Sequence, residues 1–179
     1  MFSNIDLLLQ ESISDTPFKK VNLNSLSESS NNIDPSKLYF VSFDNMDGKV
    51  LSPRIPDNYF TKNGYEENKT PRVCFAPSIK ECLTALSMAL NNKELYVFNI
   101  SKEYIDKLKS NKSLIYKPTT KEVPDCKWTN EIWVKCPVKI TKIGKIKVTD
   151  DLKSKPLKFT YGNNQTAEVY RYNYEFIDE

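Results

Sequence analysis

Two stretches decide the fold: Leu38-Tyr39-Phe40-Val41-Ser42 and, about thirty residues later, Arg72-Val73-Cys74-Phe75-Ala76-Pro77-Ser78. Each is a short apolar run that ends in a polar turn, which is typical of a buried strand. An amphipathic helix follows the second run, because Ser78-Ile79-Lys80-Glu81 has the pattern of a capping box. The order strand, long polar loop, strand and helix predicts a small α+β domain.

The length of 179 residues allows one domain with a real core and is too short for two ordinary ones. Residues 1–34 are predicted to hold an amphipathic helix at 3–13 and a Ser/Asn-rich linker, and residues 35–179 to form the domain. Further strands are predicted at 49–52, 95–100, 114–116, 132–134 and 139–148, and helices at 79–90 and 102–109.

The end of the chain predicts a β-hairpin. Residues 158–161 and 169–177 have strand patterns, and Gly162-Asn163-Asn164 supplies a turn between them. Four aromatic residues at period two would share one face of the second strand: Tyr170, Tyr172, Tyr174 and Phe176. We expect this face to cover the domain itself, although an interface with a partner is the alternative.

Composition excludes several classes of function. The formal charge of +3 is small and dispersed, and this argues against nucleic-acid binding. We interpret the basic zone from Lys135 to Lys147 as a solvated strand face rather than as an anion-binding strip. Four Cys without CxxC spacing and the lack of His argue against a Cys/His metal site. Residues 1–10 lack the basic region of a signal peptide, and no apolar run reaches membrane-spanning length, so we expect a cytoplasmic protein with free thiols.

The order of strand motifs resembles the ADP-ribosyltransferase superfamily, and most closely its small rifampin-transferase-like members. Tyr39-Phe40-Val41-Ser42 resembles the first-strand motif, and Val73-Cys74-Phe75-Ala76-Pro77-Ser78 with its helix resembles the second. The similarity covers residues 38–148. It implies a split or mixed β-sheet core, NAD as the cofactor, and 38–43 and 72–76 as neighbouring strands whose carboxyl ends border one cleft.

The resemblance also implies roles for individual residues. The family's first strand carries a His or Arg that holds the NAD ribose, and its second strand a Tyr or Ser beside the nicotinamide. Phe40 and Cys74 occupy these positions here, and Phe40 cannot donate a hydrogen bond. Either Arg54 or Arg72 therefore takes over by binding phosphate, or NAD is not held in the usual way. Ser42 and Ser78 would lie near the ribose or the amide.

The catalytic carboxylate implied by the resemblance is Glu131, at the start of a strand after a polar loop. Its simpler interpretation is a surface glutamate at a strand end. Arg72 also has a simpler interpretation, an ion pair with Glu66 or Glu67. Cys74 is expected to be a small buried apolar group rather than a nucleophile, because no His is available as its base.

Two function classes stay open from the sequence. One is an ADP-ribosyltransferase, encoded by a phage or mobile element, that modifies a host protein with NAD as the donor. The other is an inactive scaffold of the same type that binds and inhibits a protein partner. Trp133 is expected to pack inward. Trp128, in the polar loop before Glu131, is expected to be buried under that loop, and an exposed interface residue is the alternative.

Overall fold

The computed structural model describes residues 33–86, 89–149 and 156–178. These residues form a mixed α+β fold with antiparallel sheets and few helices. The helix predicted at 3–13 and the linker predicted at 22–32 lie outside the described residues.

The elements are short, and most follow the predicted strands. The strands are β1 (Tyr39–Ser42), β2 (Val50–Leu51), β3 (Val73–Phe75), β4 (Glu94–Ile100), β5 (Ile115–Tyr116), β6 (Ile132–Val134), β7 (Val138–Thr149), β8 (Leu157–Tyr161), β9 (Gln165–Val169) and β10 (Asn173–Ile177). The helices are α1 (Tyr59–Lys62), α2 (Ile79–Ala85), α3 (Lys102–Ser110) and α4 (Cys126–Thr129), with 3-10 turns at Pro35–Lys37 and Lys112–Leu114.

The strands form two main sheets and a separate hairpin. The first sheet has the order β1-β4-β7-β10, with β2 also paired to β7, and the second has the order β3-β6-β5. Strands β8 and β9 pair with each other. Every strand pair in the described ranges is antiparallel, so the core is split into two sheets but is not mixed in strand direction.

One antiparallel bridge joins β1 to the end of β3. The Tyr39 N–H donates to the Ala76 carbonyl at 2.8 Å, and the Ala76 N–H donates to the Tyr39 carbonyl at 3.1 Å. The two strands are therefore neighbours at this bridge, but the prediction that their carboxyl ends lie side by side is wrong. They lie in different sheets, and antiparallel pairing brings the start of one strand to the end of the other.

Two clusters of buried side chains hold the layers together. One packs Phe75 and Val134 of the second sheet against Phe98 and Ile140 of the first. The other packs α2 against the first sheet through buried aliphatic side chains, among them Ile79, Leu83, Leu95, Val97 and Ile146. Trp133 is also fully buried, which confirms its inward packing.

The C-terminal segment differs from its prediction. The turn at 162–164 connects β8 to β9, but the chain then leaves the hairpin, and β10 pairs with β7. Strand β7 pairs with β4 along one edge, and residues 145–149 of its other edge pair with β10. Tyr172 and Tyr174 pack in the α2 cluster, whereas Tyr170 and Phe176 are exposed. Packing against the domain is thus confirmed for two of the four aromatic residues.

Predictions that rest on local sequence signals are confirmed more often than predictions of which strands pair. The Ser78 hydroxyl accepts the Glu81 N–H at 3.3 Å, as in a capping box. The Glu81 carboxylate accepts from the Ser78 hydroxyl at 2.8 Å and not from the Ser78 backbone N–H. Helix α2 ends at Ala85, earlier than predicted. The long loop at 53–71 is ordered and contains α1, which is a single turn. The Asn58 side chain caps the N-terminus of α1 by accepting the Thr61 N–H.

Candidate functional site

A pocket of about 450 Å³ opens beside the bridge between β1 and β3. Its walls come from β1, β3, α2, the loop that carries α1, the α4 segment and β8. Its volume lies in the range of small-molecule sites, and the lining is predominantly apolar. The pocket therefore lies between the long loop and the two strands, but Ser42 at the carboxyl end of β1 is not part of its lining.

Three carboxylates line this pocket, which we name the carboxylate pocket. Glu66 comes from the end of the long loop, Asp125 immediately precedes α4, and Glu131 immediately precedes β6. Among the described residues, no Lys or Arg side chain lines it. The pocket therefore carries negative charge that no cation on its own surface balances.

The nearest cation, Arg72, lies behind the carboxylates with its side chain fully buried. Its guanidinium pairs with Glu66, and its Nη1 donates to Glu67 Oε2 at 3.0 Å. Its Nε lies 4.0 Å from Glu131 Oε1, and the guanidinium stacks 4.1 Å from the Trp133 ring centroid. The alternative in which Arg72 pairs with Glu66 and Glu67 is confirmed. Because Arg72 is fully buried and is not part of the lining, its guanidinium does not face a phosphate in the pocket.

Glu131 is oriented by the strand that follows it. The Trp133 indole N–H donates to Glu131 Oε1 at 2.6 Å, and the glutamate side chain is only 14% exposed. Glu131 is therefore a positioned carboxylate at the pocket and not a surface glutamate. A fixed carboxylate can stabilise positive charge that develops beside it without having to reorganise.

Asp125 is a site residue that the sequence interpretation missed. Burial, and then the negative charges of Glu131 and Glu66, raise the pKa of Asp125 to about 7. Burial and Glu131 also raise the pKa of Glu66, in spite of its ion pair with Arg72. Near neutral pH, Asp125 can therefore donate or accept a proton.

Cys74 lines the pocket but is not an activated nucleophile. Burial, and then the charge of Glu131, raise the pKa of its thiol well above 9. The thiol therefore stays protonated at neutral pH. Burial raises the pKa of Cys82 to about 12, and its thiol donates to the Tyr39 carbonyl at 3.2 Å. Both cysteines serve packing, as the sequence indicates.

The remaining predicted residues divide between the pocket and other parts of the fold. Phe40 lines the pocket, and its ring lies 6.1 Å from that of Phe75. Ser42 lies outside the lining, where its hydroxyl accepts the Asp44 N–H at 3.1 Å. Ser78 caps α2. The Arg54 backbone pairs with that of Arg72, and its exposed side chain lies outside the lining. The pocket therefore gathers Phe40, Cys74 and Glu131 from the predicted set.

Comparison with known proteins gives no relative: no family model, curated protein or solved structure matches the chain. In the described ranges, no group of three or more His, Cys, Asp or Glu side chains is arranged to hold a metal ion. No helix of those ranges is long and apolar enough to cross a membrane.

Proposed function

We propose that this protein is an enzyme whose reaction develops positive charge on a small substrate beside Glu131. The observation that carries the proposal is the difference between two carboxyl groups on one apolar pocket. Glu131 is fixed by the Trp133 N–H, while the pKa of Asp125 is raised to about 7. One group can then stabilise charge while the other transfers a proton, which is the division of roles in glycosyl transfer.

Transfer of ADP-ribose from NAD is the reaction of this class that the sequence resemblance suggests. Cleavage of the bond to nicotinamide passes through an oxocarbenium-like state, which a carboxylate stabilises. The proposal is supported by Phe40, Cys74 and Glu131, which line the same pocket. With no basic side chain among the described lining residues, the pyrophosphate of NAD would lie outside the pocket.

The test is release of nicotinamide from NAD by the purified full chain, followed by liquid chromatography. We expect Glu131→Gln to lower kcat by about 100-fold or more, because the amide keeps the acceptor for Trp133 but loses the charge. Glu103→Gln is the matched control, since Glu103 is an exposed glutamate that pairs with Lys139 on the surface. A chain that releases no nicotinamide above the buffer rate, with or without a cell lysate as acceptor, would remove NAD as the substrate.

A second candidate is an inactive scaffold that binds a protein partner. The observation in its favour is the wall at Phe40, where the resemblance implies a group that holds the ribose. The Phe40 ring packs against Phe75 and Phe98, at 6.1 and 6.2 Å, and offers no hydrogen bond. Robust nicotinamide release that depends on Glu131 would reject this candidate.

A further inference from the structure

The aromatic lining of the carboxylate pocket indicates what kind of ligand fits it. Five aromatic residues contribute to the lining: Phe40, Tyr59, Phe60, Phe75 and Phe159. They come from β1, α1, β3 and β8, so rings surround the pocket from separate parts of the fold. Aromatic faces attract cations, most strongly where water is excluded.

The charge of the pocket points the same way. Glu66, Asp125 and Glu131 line it, and the nearest guanidinium, that of Arg72, lies behind them. An anion would be repelled by these carboxylates, and the single charge of Arg72, which is shared with Glu66 and Glu67, offsets only part of theirs. A ligand with positive charge therefore complements the pocket.

The hydrogen-bonding groups of the pocket distinguish between kinds of cation. Glu66 already accepts from Arg72 and Asn58, and Glu131 accepts from Trp133. A primary ammonium brings three N–H donors, which need acceptors when they leave water. Because the rest of the wall is largely apolar, an ammonium with methyl groups in place of N–H donors suits it better.

We propose that the carboxylate pocket binds an organic cation whose nitrogen is N-methylated, with the aromatic residues of the lining around the methyl groups and Asp125 as the carboxylate that pairs with the charge. Asp125 fits this role because its carboxylate receives no hydrogen bond from another side chain of the described part of the chain. The inference rests on the proposed function in one respect, that both place the ligand in the same pocket.

The experiment compares three small probes by isothermal titration calorimetry on the full chain at pH 8, where Asp125 is mostly ionised. The probes are choline, its neutral isostere 3,3-dimethyl-1-butanol, and ethanolamine, which has the primary ammonium. We expect choline to bind at least ten times more tightly than either of the others. Asp125→Asn should weaken choline binding about tenfold, and the surface control Glu103→Gln should leave it unchanged.

Two results would overturn the inference. One is equal or tighter binding of 3,3-dimethyl-1-butanol or ethanolamine, and the other is no detectable choline binding at millimolar concentration. Circular dichroism of Asp125→Asn establishes that the variant is folded before it is compared. The outcome is independent of the NAD experiment, because a protein that releases no nicotinamide can still prefer choline to its isostere, and the reverse also holds.

Discussion

The carboxylate pocket is bounded by two regions that are built in opposite ways. Behind it, Arg72 holds Glu66 and Glu67 through buried ion pairs. On another side, the β8–β9 hairpin pairs with no other strand of the described residues, and aromatic rings attach it to the α1 loop. The comparison teaches that ion pairs fix one wall, whereas in the described part of the chain aromatic contacts position the other.

Removal of the buried Arg72 guanidinium should have the largest effect on the stability of the fold. In Arg72→Met the carboxylate of Glu66, which is 8% exposed, loses its ion pair in a dry environment. We expect the free energy of unfolding to fall by about 3 to 5 kcal/mol, measured by chemical denaturation. Lys62→Met is the matched control, because its pair with Asp57 is exposed to solvent and should contribute little to stability. Equal effects of the two substitutions would contradict the comparison.

Loss of an aromatic contact should act locally. Tyr161 lies 5.0 Å from Phe60 and 5.1 Å from Tyr65, measured between ring centroids. We expect Tyr161→Ala to cost about 1 to 2 kcal/mol and to speed amide hydrogen exchange in β8 and β9 more than in β4 and β7. Uniformly faster exchange throughout all four strands would show that the hairpin is part of the cooperative core.

The charge on Asp125 should lower stability as pH rises. Its pKa is raised to about 7, so the folded state keeps a proton that the unfolded state releases above about pH 4. Stability therefore falls as pH rises through the window from about 4 to 7. We expect Asp125→Asn to raise Tm by about 8 °C at pH 8 and to have little effect near pH 4. A Tm difference that does not change with pH would contradict the raised pKa.

The smallest effect should come from the hairpin turn. Gly162 has φ +51°, and a Cβ there would lie 2.7 Å from the ring of Tyr65. Gly48 has φ +71°, but a Cβ there would have no neighbour within 4 Å. Both Gly→Ala changes carry the strain of a left-handed backbone, so their difference isolates the contact with Tyr65. We expect Gly162→Ala to cost about 1 kcal/mol more in thermal unfolding, and equal costs would show that the ring moves away freely.

Much of the local structure could be predicted from the sequence, because its causes are local. The strand at 73–76 and the cap at Ser78 depend on neighbouring residues, and both are present, with β3 one residue shorter. The pairing of β10 with β7 could not be predicted, because a strand pattern does not specify a distant partner. Likewise the raised pKa of Asp125 depends on burial and on Glu66, which is distant in the chain, as well as on the nearby Glu131.

The bridge between Tyr39 and Ala76 has a mechanical consequence. The two backbones are paired at this point, while the side chains of Phe40 and Cys74 just beyond it border open volume. The bridge therefore fixes the separation of the two backbones at this side of the pocket through two hydrogen bonds between main-chain atoms. No side-chain substitution removes these bonds directly, so the spacing here is set by the backbone and not by the identity of the lining residues.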